Sequence, residues 1–198
     1  MVLSVNELAF GITRRSDIRE SKTCCGHSIT GSLTLDPVAN CHQLKLREME
    51  QAYRLNSLVP IWLMGRFVEE CCTSDLTVVN ISSGASKNPY AGWTTYCSTK
   101  AALEMAGRCL GEEAKSVLVK KFPDRELKVI NYAPGVVDTK MQDVVQGSDE
   151  EVFPSIGKFR QLKADSKFFK PDDVAANLIS LLDNGNMPEY FDYRYRGE

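Results

Sequence analysis

The sequence predicts an α/β fold in which helices cover both faces of a parallel sheet. Two short apolar segments rich in β-branched residues, 76–82 and 127–133, are predicted to be buried strands. A long helical pattern over 95–118 separates them, and strands that alternate with helices usually form parallel sheets. Ser83 and Gly135 follow directly after the two strands, at the edge of the sheet where such folds bind ligands.

Composition fits one packed domain. The chain has 198 residues and 43% hydrophobic content, which is enough for a core. A net charge of −2 gives no reason to expect nucleic acid or an anionic membrane as a partner. No apolar run approaches the ~18 residues that would span a bilayer. Residues 1–43 have poor periodicity, so neither strands nor helices are predicted there.

The first strong helical pattern covers residues 44–72. Pro60 lies inside it and lacks the N–H that the helix needs, so we expect a kink or local unwinding near Asn56. Such unwinding would free backbone carbonyls beside Asn56. Taken by itself, Asn56 is best interpreted as an ordinary exposed helix residue.

Strand 76–82 should turn Ser82 and Ser83 to opposite faces, since side chains alternate along a strand. The spacing favours Ser83 as the one that serves a site. The loop that follows is rich in Gly, Pro and Ser, and it carries two large aromatic residues, Tyr90 and Trp93. These side chains either line a flat pocket or cover the core.

Helix 95–118 places Tyr96 and Lys100 on one face, because they are four residues apart. With Ser83 arriving from the strand, a phenol, an ammonium and a hydroxyl converge on one point. Such a set can give a proton to a carbonyl oxygen. A nearby cation favours the phenolate, so we expect Lys100 to lower the pKa of Tyr96 from about 10 towards about 7. No side chain supplies a hydride, which must come from a cofactor.

The last third of the chain continues the pattern. The polar and charged segment 143–170 is predicted to be a solvated surface or, because it follows the turn at Pro134 and Gly135, a lid. A helix should begin at Pro171 and end before Gly185, and residues 190–193 should form a short strand.

Cysteine usage indicates a cytoplasmic protein. There are seven cysteines, an odd number, and no secretory signal pattern, which favours reduced thiols. Cys24, Cys25 and His27 lack the separated ligand pairs of a structural zinc site, so no metal is expected. Cys97 adjoins Tyr96, and we favour a packing role for it over a reactive thiol.

Several segments together resemble the short-chain dehydrogenase/reductase family, namely Val79-Asn-Ile-Ser-Ser83, Tyr96-Cys-Ser-Thr-Lys100 and Asn131-Tyr-Ala-Pro-Gly135. Within it, 89–97, 131–142 and 190–193 are similar to the sepiapterin reductase subfamily. The resemblance covers roughly residues 30–193. It implies a Rossmann-like doubly wound sheet, a homodimer, and NADPH-dependent reduction of a pterin side-chain ketone in tetrahydrobiopterin biosynthesis.

The resemblance also implies roles for individual residues. Tyr96 would donate the proton, Ser83 would orient the carbonyl, and Asn56 would support a proton-relay water. Lys100 would hold the nicotinamide ribose and tune Tyr96. The implied cofactor contacts are Tyr96, Lys100, Val137, Asp138, Thr139, Lys140, Met141 and Gln142, and the implied substrate contacts are Ser83, Gly84, Gly135 and Asp192.

One family motif does not occur in the sequence. The family opens with a Thr-Gly-x-x-x-Gly-x-Gly turn that cradles the dinucleotide phosphates, and Gly11, Gly26 and Gly31 are too far apart to form it. We therefore expect an irregular or replaced segment, 1–43, followed by the catalytic part, 44–198, of a domain truncated or altered at its N-terminus. Three functions stay open: a pterin reductase, a reductase of diketones or other small carbonyls, and an inactive truncated isoform or paralogue that acts as a dimer partner.

Overall fold

The computed structural model describes residues 11–12, 26–30, 34–70, 75–184 and 187–197. In these ranges, five strands form one sheet in the order β1-β2-β3-β4-β5. β1 is antiparallel to β2, and β2 to β5 run parallel to one another. The strands are β1 (Gly11–Ile12), β2 (Gly26–Thr30), β3 (Leu76–Ile81), β4 (Leu127–Ala133) and β5 (Tyr190–Arg194).

The helices of the described residues are α1 (Leu46–Tyr53), α2 (Val59–Glu70), α3 (Thr94–Glu113), α4 (Val119–Lys121), α5 (Lys140–Gln146), α6 (Ile156–Ala164) and α7 (Pro171–Asp183). A π-helical turn, Arg54–Leu58, joins α1 to α2, and a second one, Ala114–Leu118, joins α3 to α4. Short 3-10 turns lie at Cys41–Gln43 and Gly84–Ser86. In the part of the chain that is described, no helix combines the length and apolar character needed to cross a membrane.

Helices pack on both faces of the sheet, which confirms the predicted doubly wound architecture. Val78 of β3 lies in a cluster with residues of α2 and α3. Its neighbour Val79 points to the opposite face and packs against Val174 and Leu178 of α7. Because successive side chains point to opposite faces, a strand covered on both sides is mostly apolar, and this explains why β3 and β4 are rich in apolar residues without strict alternation.

The N-terminal part differs from the sequence expectation. No strand is predicted within residues 1–43, whereas β2 pairs in parallel with β3, from Gly26 beside Leu76 to Thr30 beside Asn80. β2 is held to β3 by backbone hydrogen bonds, and these form whatever the side chains are. The strand therefore needs no alternation of apolar and polar residues that the sequence would reveal. Gly31 lies outside the described residues.

Candidate active site

The carboxyl edge of the sheet brings Ser83, Tyr96 and Lys100 together. Ser83 follows β3 within two residues, and Tyr96 and Lys100 lie one turn apart in α3, both buried. The Ser83 hydroxyl accepts a hydrogen bond from the Ala85 backbone N–H at 3.2 Å, and it lies close enough to the Tyr96 hydroxyl to influence the pKa of that phenol. A carbonyl oxygen that reached these two hydroxyls would contact a proton donor and an orienting group at once.

The two serines at the end of β3 point in different directions, as the strand alternation predicts. The Ser82 hydroxyl lies 3.3 Å from a carboxylate oxygen of Glu104, below the sheet edge. Ser83 is therefore the serine that accompanies Tyr96.

The expectation that Lys100 lowers the pKa of Tyr96 is wrong for this structure. Burial raises the pKa of Tyr96 to about 12, and the hydrogen bond with Ser83 opposes this change only in part. The Lys100 ammonium donates instead to the Ile81 carbonyl at 2.9 Å, and burial lowers its own pKa to about 7. Tyr96 is therefore a protonated phenol at neutral pH, which is the form that a proton donor needs.

The unused hydrogen-bond donors of Lys100 match the hydroxyls of a ribose. An ammonium carries three N–H donors. Within the described residues, Lys100 makes one hydrogen bond, to the Ile81 carbonyl. Its other donors are available to the neighbouring hydroxyls of a nicotinamide ribose.

Asn56 lies in the π-helical turn between α1 and α2, where the sequence predicts local unwinding. The Val59 N–H bonds to the Arg54 carbonyl, five residues back, and Pro60 has no N–H to offer. The proline therefore shifts the hydrogen-bond register beside Asn56 rather than breaking the helix.

The interpretation of Asn56 as an exposed helix residue is wrong, because its side chain is fully buried. Its amide nitrogen donates to the Thr34 carbonyl at 2.8 Å and lies 3.2 Å from the Thr99 hydroxyl. Its amide oxygen accepts from the Thr34 N–H at 3.1 Å. Asn56 thus ties the chain after β2 to helix α3, one residue before Lys100.

The segment matched to the cofactor begins at a constrained turn. Gly135 has a φ of +77°, and a Cβ there would come within 2.5 Å of the Phe169 ring, so only glycine fits. Beyond it, Val137 forms a bridge with Phe169. Val137 is buried, Thr139 and Met141 are half-buried, and Asp138 and Lys140 are exposed.

Gln142 carries a second indication of a ligand. Its side chain is buried, and its Oε1 has no hydrogen-bond partner among the described residues. Buried polar atoms are normally paired, so an orphaned acceptor beside this turn fits a group that donates a hydrogen bond, such as the cofactor.

Asp192 lies in β5 with both carboxylate oxygens engaged. One oxygen contacts Lys87 at 3.0 Å and Arg108 at 2.9 Å. The other accepts from the Asn131 amide at 3.3 Å and from the Tyr190 hydroxyl. Although burial opposes it, the hydrogen bonds from Tyr190 and Lys87 hold the pKa of Asp192 below its ordinary value.

Sequence reasoning missed the buried carboxylate of Glu104 and its partners. Glu104 contacts Arg108 at 2.8 Å and Lys87 at 3.3 Å, so both cations bridge Glu104 and Asp192. The signal was present in part, because Lys100, Glu104 and Arg108 follow one another at four-residue spacing on one face of α3. Lys87 contacts Glu104 and Asp192 from a distant part of the chain, so sequence spacing could not place it in this group.

The aromatic residues of the loop before α3 cover a core. Trp93 is buried and stacks on Phe153 with ring centroids 4.5 Å apart, and it meets Tyr96 edge-on at 5.7 Å. Tyr90 packs on the same cluster. Phe153, in the segment between α5 and α6, thus packs in the same cluster as Trp93 and Tyr96.

Cys97 packs beside this cluster, with its Sγ 3.7 Å from the Asn88 carbonyl oxygen. Burial raises the pKa of its thiol, which favours the packing role. Cys24 and Cys25 lie outside the described residues. Within the described ranges, no group of three His, Cys, Asp or Glu side chains could hold a metal ion.

A cavity of about 90 Å³ opens beside Ser83. It lies between the turn after β3, helix α3 and the ends of β4 and β5. Its lining includes Ser83, Gly84, Lys87, Glu104, Asp192 and Arg194.

The family model described as short chain dehydrogenase matches residues 30–149. The benzil reductase ((S)-benzoin forming) of Bacillus subtilis is 39% identical over 153 residues, which cover 75% of this chain and 60% of that protein. The sepiapterin reductase of Mus musculus is 36% identical over 107 residues, which cover 54% of this chain and 36% of that protein.

The fold has solved counterparts. A short chain dehydrogenase/reductase from Saccharomyces cerevisiae superimposes with a TM-score of 0.68 at 25% identity, covering 84% of this chain and 65% of that one. The chain therefore spans 60% of the benzil reductase and 36% of the sepiapterin reductase named above.

Proposed function

The chain belongs to the short-chain dehydrogenase family, and on that premise we propose that it reduces one ketone of a small vicinal diketone with a reduced nicotinamide dinucleotide. The observation that carries the proposal is the convergence of three side chains at one edge of the sheet: Ser83 at the end of β3, and the buried Tyr96 and Lys100 one turn apart in α3. The cofactor, when bound, supplies a hydride to the carbonyl carbon. Tyr96 gives its proton to the carbonyl oxygen, so that a hydroxyketone forms.

Other residues of the chain have contacts that suit this reaction. Ser83 donates a hydrogen bond to the reacting oxygen and so stabilises the negative charge that develops there. Lys100 and Gln142 would hold the cofactor through unused donors and an unpaired acceptor, respectively. The close packing of Trp93 over Tyr96 excludes water from the reacting groups.

One comparison favours a diketone over a pterin. The similarity to benzil reductase covers 75% of the chain, and that to sepiapterin reductase covers 54%.

Reduction of a pterin side-chain ketone is the second candidate, and the position of Asp192 favours it. This carboxylate lines the cavity next to Ser83 and has the chemistry to accept paired N–H bonds from a guanidine-like pterin edge. A pterin would have to displace Lys87 and Arg108 from one oxygen, and Asn131 and Tyr190 from the other. This requirement makes the diketone the better candidate.

Three further parts of the proposal concern the cofactor type, the assembly and the location. NADPH is proposed over NADH from the similarity to sepiapterin reductases. A homodimer is proposed because Leu58 and Trp62 expose apolar surface one helical turn apart. A cytoplasmic location is proposed because the thiols of Cys41, Cys97 and Cys109 are free.

The test is a rate measurement with purified protein, NADPH and benzil, followed by the absorbance of the reduced nicotinamide. We expect consumption of NADPH by the wild type and a rate about 10²–10⁴-fold lower for Tyr96→Phe. NADH and sepiapterin are compared in parallel reactions. A folded wild type that is no faster than Tyr96→Phe on either carbonyl would contradict the proposal and favour the inactive dimer partner.

A further inference from the structure

Arg194 is the last residue of β5 and lies at the edge of the sheet where Ser83 is found. Its backbone pairs with Ala133 of β4, just before the Pro134–Gly135 turn. Its side chain lines the same cavity as Ser83 and Gly84. The fold thus brings a guanidinium to the group that orients the reacting carbonyl.

The guanidinium rests directly on the backbone of Gly84. A Cβ at Gly84 would lie 2.6 Å from Nη1 of Arg194 and 3.3 Å from its Cζ. Only glycine leaves room for this approach. Since Gly84 follows Ser83 in the chain, the position of Arg194 beside the serine depends on that glycine.

Arg194 also differs from the other cations around the cavity. Lys87 and Arg108 each bridge the carboxylates of Glu104 and Asp192. No residue in the described part of the chain forms a hydrogen bond or ion pair with the Arg194 side chain. A guanidinium has five N–H donors in a rigid fork, which match paired oxygen acceptors.

We propose that Arg194 binds the second oxygen of a substrate whose reacting carbonyl is held by Ser83 and Tyr96. The inference rests on the proposed carbonyl reduction and defines the substrate class: compounds with oxygen acceptors on two neighbouring carbons. The second oxygen belongs either to the other ketone of a diketone or to the carboxylate of a 2-keto acid. In both cases the bonds of the substrate set the distance from the second oxygen to the reacting carbon, so a guanidinium that holds this oxygen orients the ketone for proton transfer.

The first experiment compares three substrates that share a phenyl ketone. 1-Phenyl-1,2-propanedione carries a second ketone, phenylglyoxylate carries a carboxylate, and propiophenone carries neither. For each variant, the quantity measured is the ratio of kcat/KM for a dioxygen substrate to kcat/KM for propiophenone. We expect Arg194→Met to lower this ratio at least about tenfold, as the loss of a charge-assisted hydrogen bond would.

Gly84→Ala provides a second variant that keeps the charge but moves it. Its methyl group would displace the flexible guanidinium and not the backbone, so the fold should persist. We expect the same loss of discrimination as in Arg194→Met. Arg196→Met is the matched control, because Arg196 is an exposed arginine of the same tail and does not line the cavity. Its ratio should stay within about threefold of the wild type.

The substrates distinguish the two sources of the second oxygen. A larger loss with phenylglyoxylate than with the dione would assign the anchor to a carboxylate, and the reverse would assign it to a ketone. An unchanged ratio for both substrates in folded Arg194→Met would overturn the inference while leaving the carbonyl reduction intact.

A binding measurement covers the case in which the wild type reduces none of the three compounds. Phenylglyoxylate is titrated into wild type, Arg194→Met and Arg196→Met and followed by calorimetry. Binding that is about tenfold weaker only in Arg194→Met would support the anchor although the proposed reaction had failed. Equal affinity in all three proteins, or no binding at all, would overturn the anchor itself.

Discussion

The ammonium nitrogen of Lys100 lies 2.9 Å from the backbone carbonyl oxygen of Ile81, in a position that solvent does not reach. One neutral acceptor does not replace the hydration of a cation, so burial lowers the pKa of Lys100 to about 7. The same burial keeps Tyr96 protonated. The pKa values of Lys100 and Tyr96 are therefore set by the exclusion of water, and not by attraction between the two side chains.

This relationship predicts a specific pH dependence of stability. The unfolded chain keeps the proton of Lys100 up to the ordinary lysine pKa of 10.5, whereas the folded chain loses it near a pKa of about 7. Between these values the unfolded state binds more protons, so the free energy of unfolding should rise with pH, by at most about 1.4 kcal/mol per pH unit. Urea unfolding of wild type and Lys100→Met at pH 7 and pH 9 isolates this contribution. Equal increases in the two proteins would contradict it.

Asn56 should contribute to stability through its three hydrogen bonds. Asn56→Ala would leave the backbone N–H and carbonyl of Thr34 without these partners, and we expect the free energy of unfolding to fall by about 1–3 kcal/mol. Asn184→Ala is the control, because Asn184 is an exposed asparagine at the end of α7. Urea unfolding measures both. Equal small losses would mean that Thr34 is held by other contacts.

The elements that were predicted well have a signal within their own residues. The strand predicted at 127–133 coincides with β4, because burial on both faces favours a run in which most residues are apolar. Helix α7 begins at Pro171, where the proline and the two aspartates that follow suit a first turn. Strand β2 lacked such a signal, because it is specified by the strand it pairs with.

In the candidate site, too, features set by local spacing were predicted, whereas features that depend on the rest of the fold were not. Residue spacing was enough to bring Ser83, Tyr96 and Lys100 together, since it fixes which side chains share a helix face. The prediction that the pKa of Tyr96 is lowered was wrong, because this pKa depends on how much water the fold excludes. No local sequence pattern records that exclusion. The engagement of Asp192 was missed because Lys87 reaches it from a distant loop.

Asp192 offers a test of the substrate preference. Its oxygens are already held by Lys87, Arg108, Asn131 and Tyr190, so it should not act as a specific pterin anchor. We therefore expect Asp192→Ala to change kcat/KM for sepiapterin and for benzil by the same factor, within about threefold. A fall that is at least about tenfold larger for sepiapterin would show that a pterin displaces the cations. That result would make a pterin, and not a diketone, the better candidate substrate.

The exposed apolar surface at the junction of the π-helical turn Arg54–Leu58 and α2 predicts self-association. Leu58 is 60% exposed and Trp62 is 63% exposed, one turn apart. We expect the wild type to sediment as a dimer and Trp62→Lys as a monomer, because a buried lysine would be desolvated at the contact. Ile179→Lys is the matched control, since Ile179 is an exposed apolar residue of α7 at 47%. A monomeric wild type, or equal sedimentation of all three proteins, would contradict the dimer.

Gly107 provides a final test, because it lets α3 approach a row of polar side chains on the sheet. Asn80 and Asn131 are paired in register, and the Asn80 amide donates to the Asn131 side-chain oxygen at 3.0 Å. A Cβ at Gly107 would lie 2.5 Å from that oxygen and 2.7 Å from the Asn80 amide nitrogen. Both atoms belong to buried side chains, so neither can move away freely.

Gly107→Ala should therefore reduce the free energy of unfolding by about 1–3 kcal/mol, the usual cost of overpacking a core. Gly65→Ala is the matched control in α2, because a Cβ at Gly65 meets no atom within 4 Å. There alanine should stabilise the helix by about 0.5–1 kcal/mol, since it loses less backbone freedom on folding. Thermal and urea unfolding of the two variants should thus shift in opposite directions. A shift in the same direction would mean that α3 does not lie against the asparagine pair as closely as described.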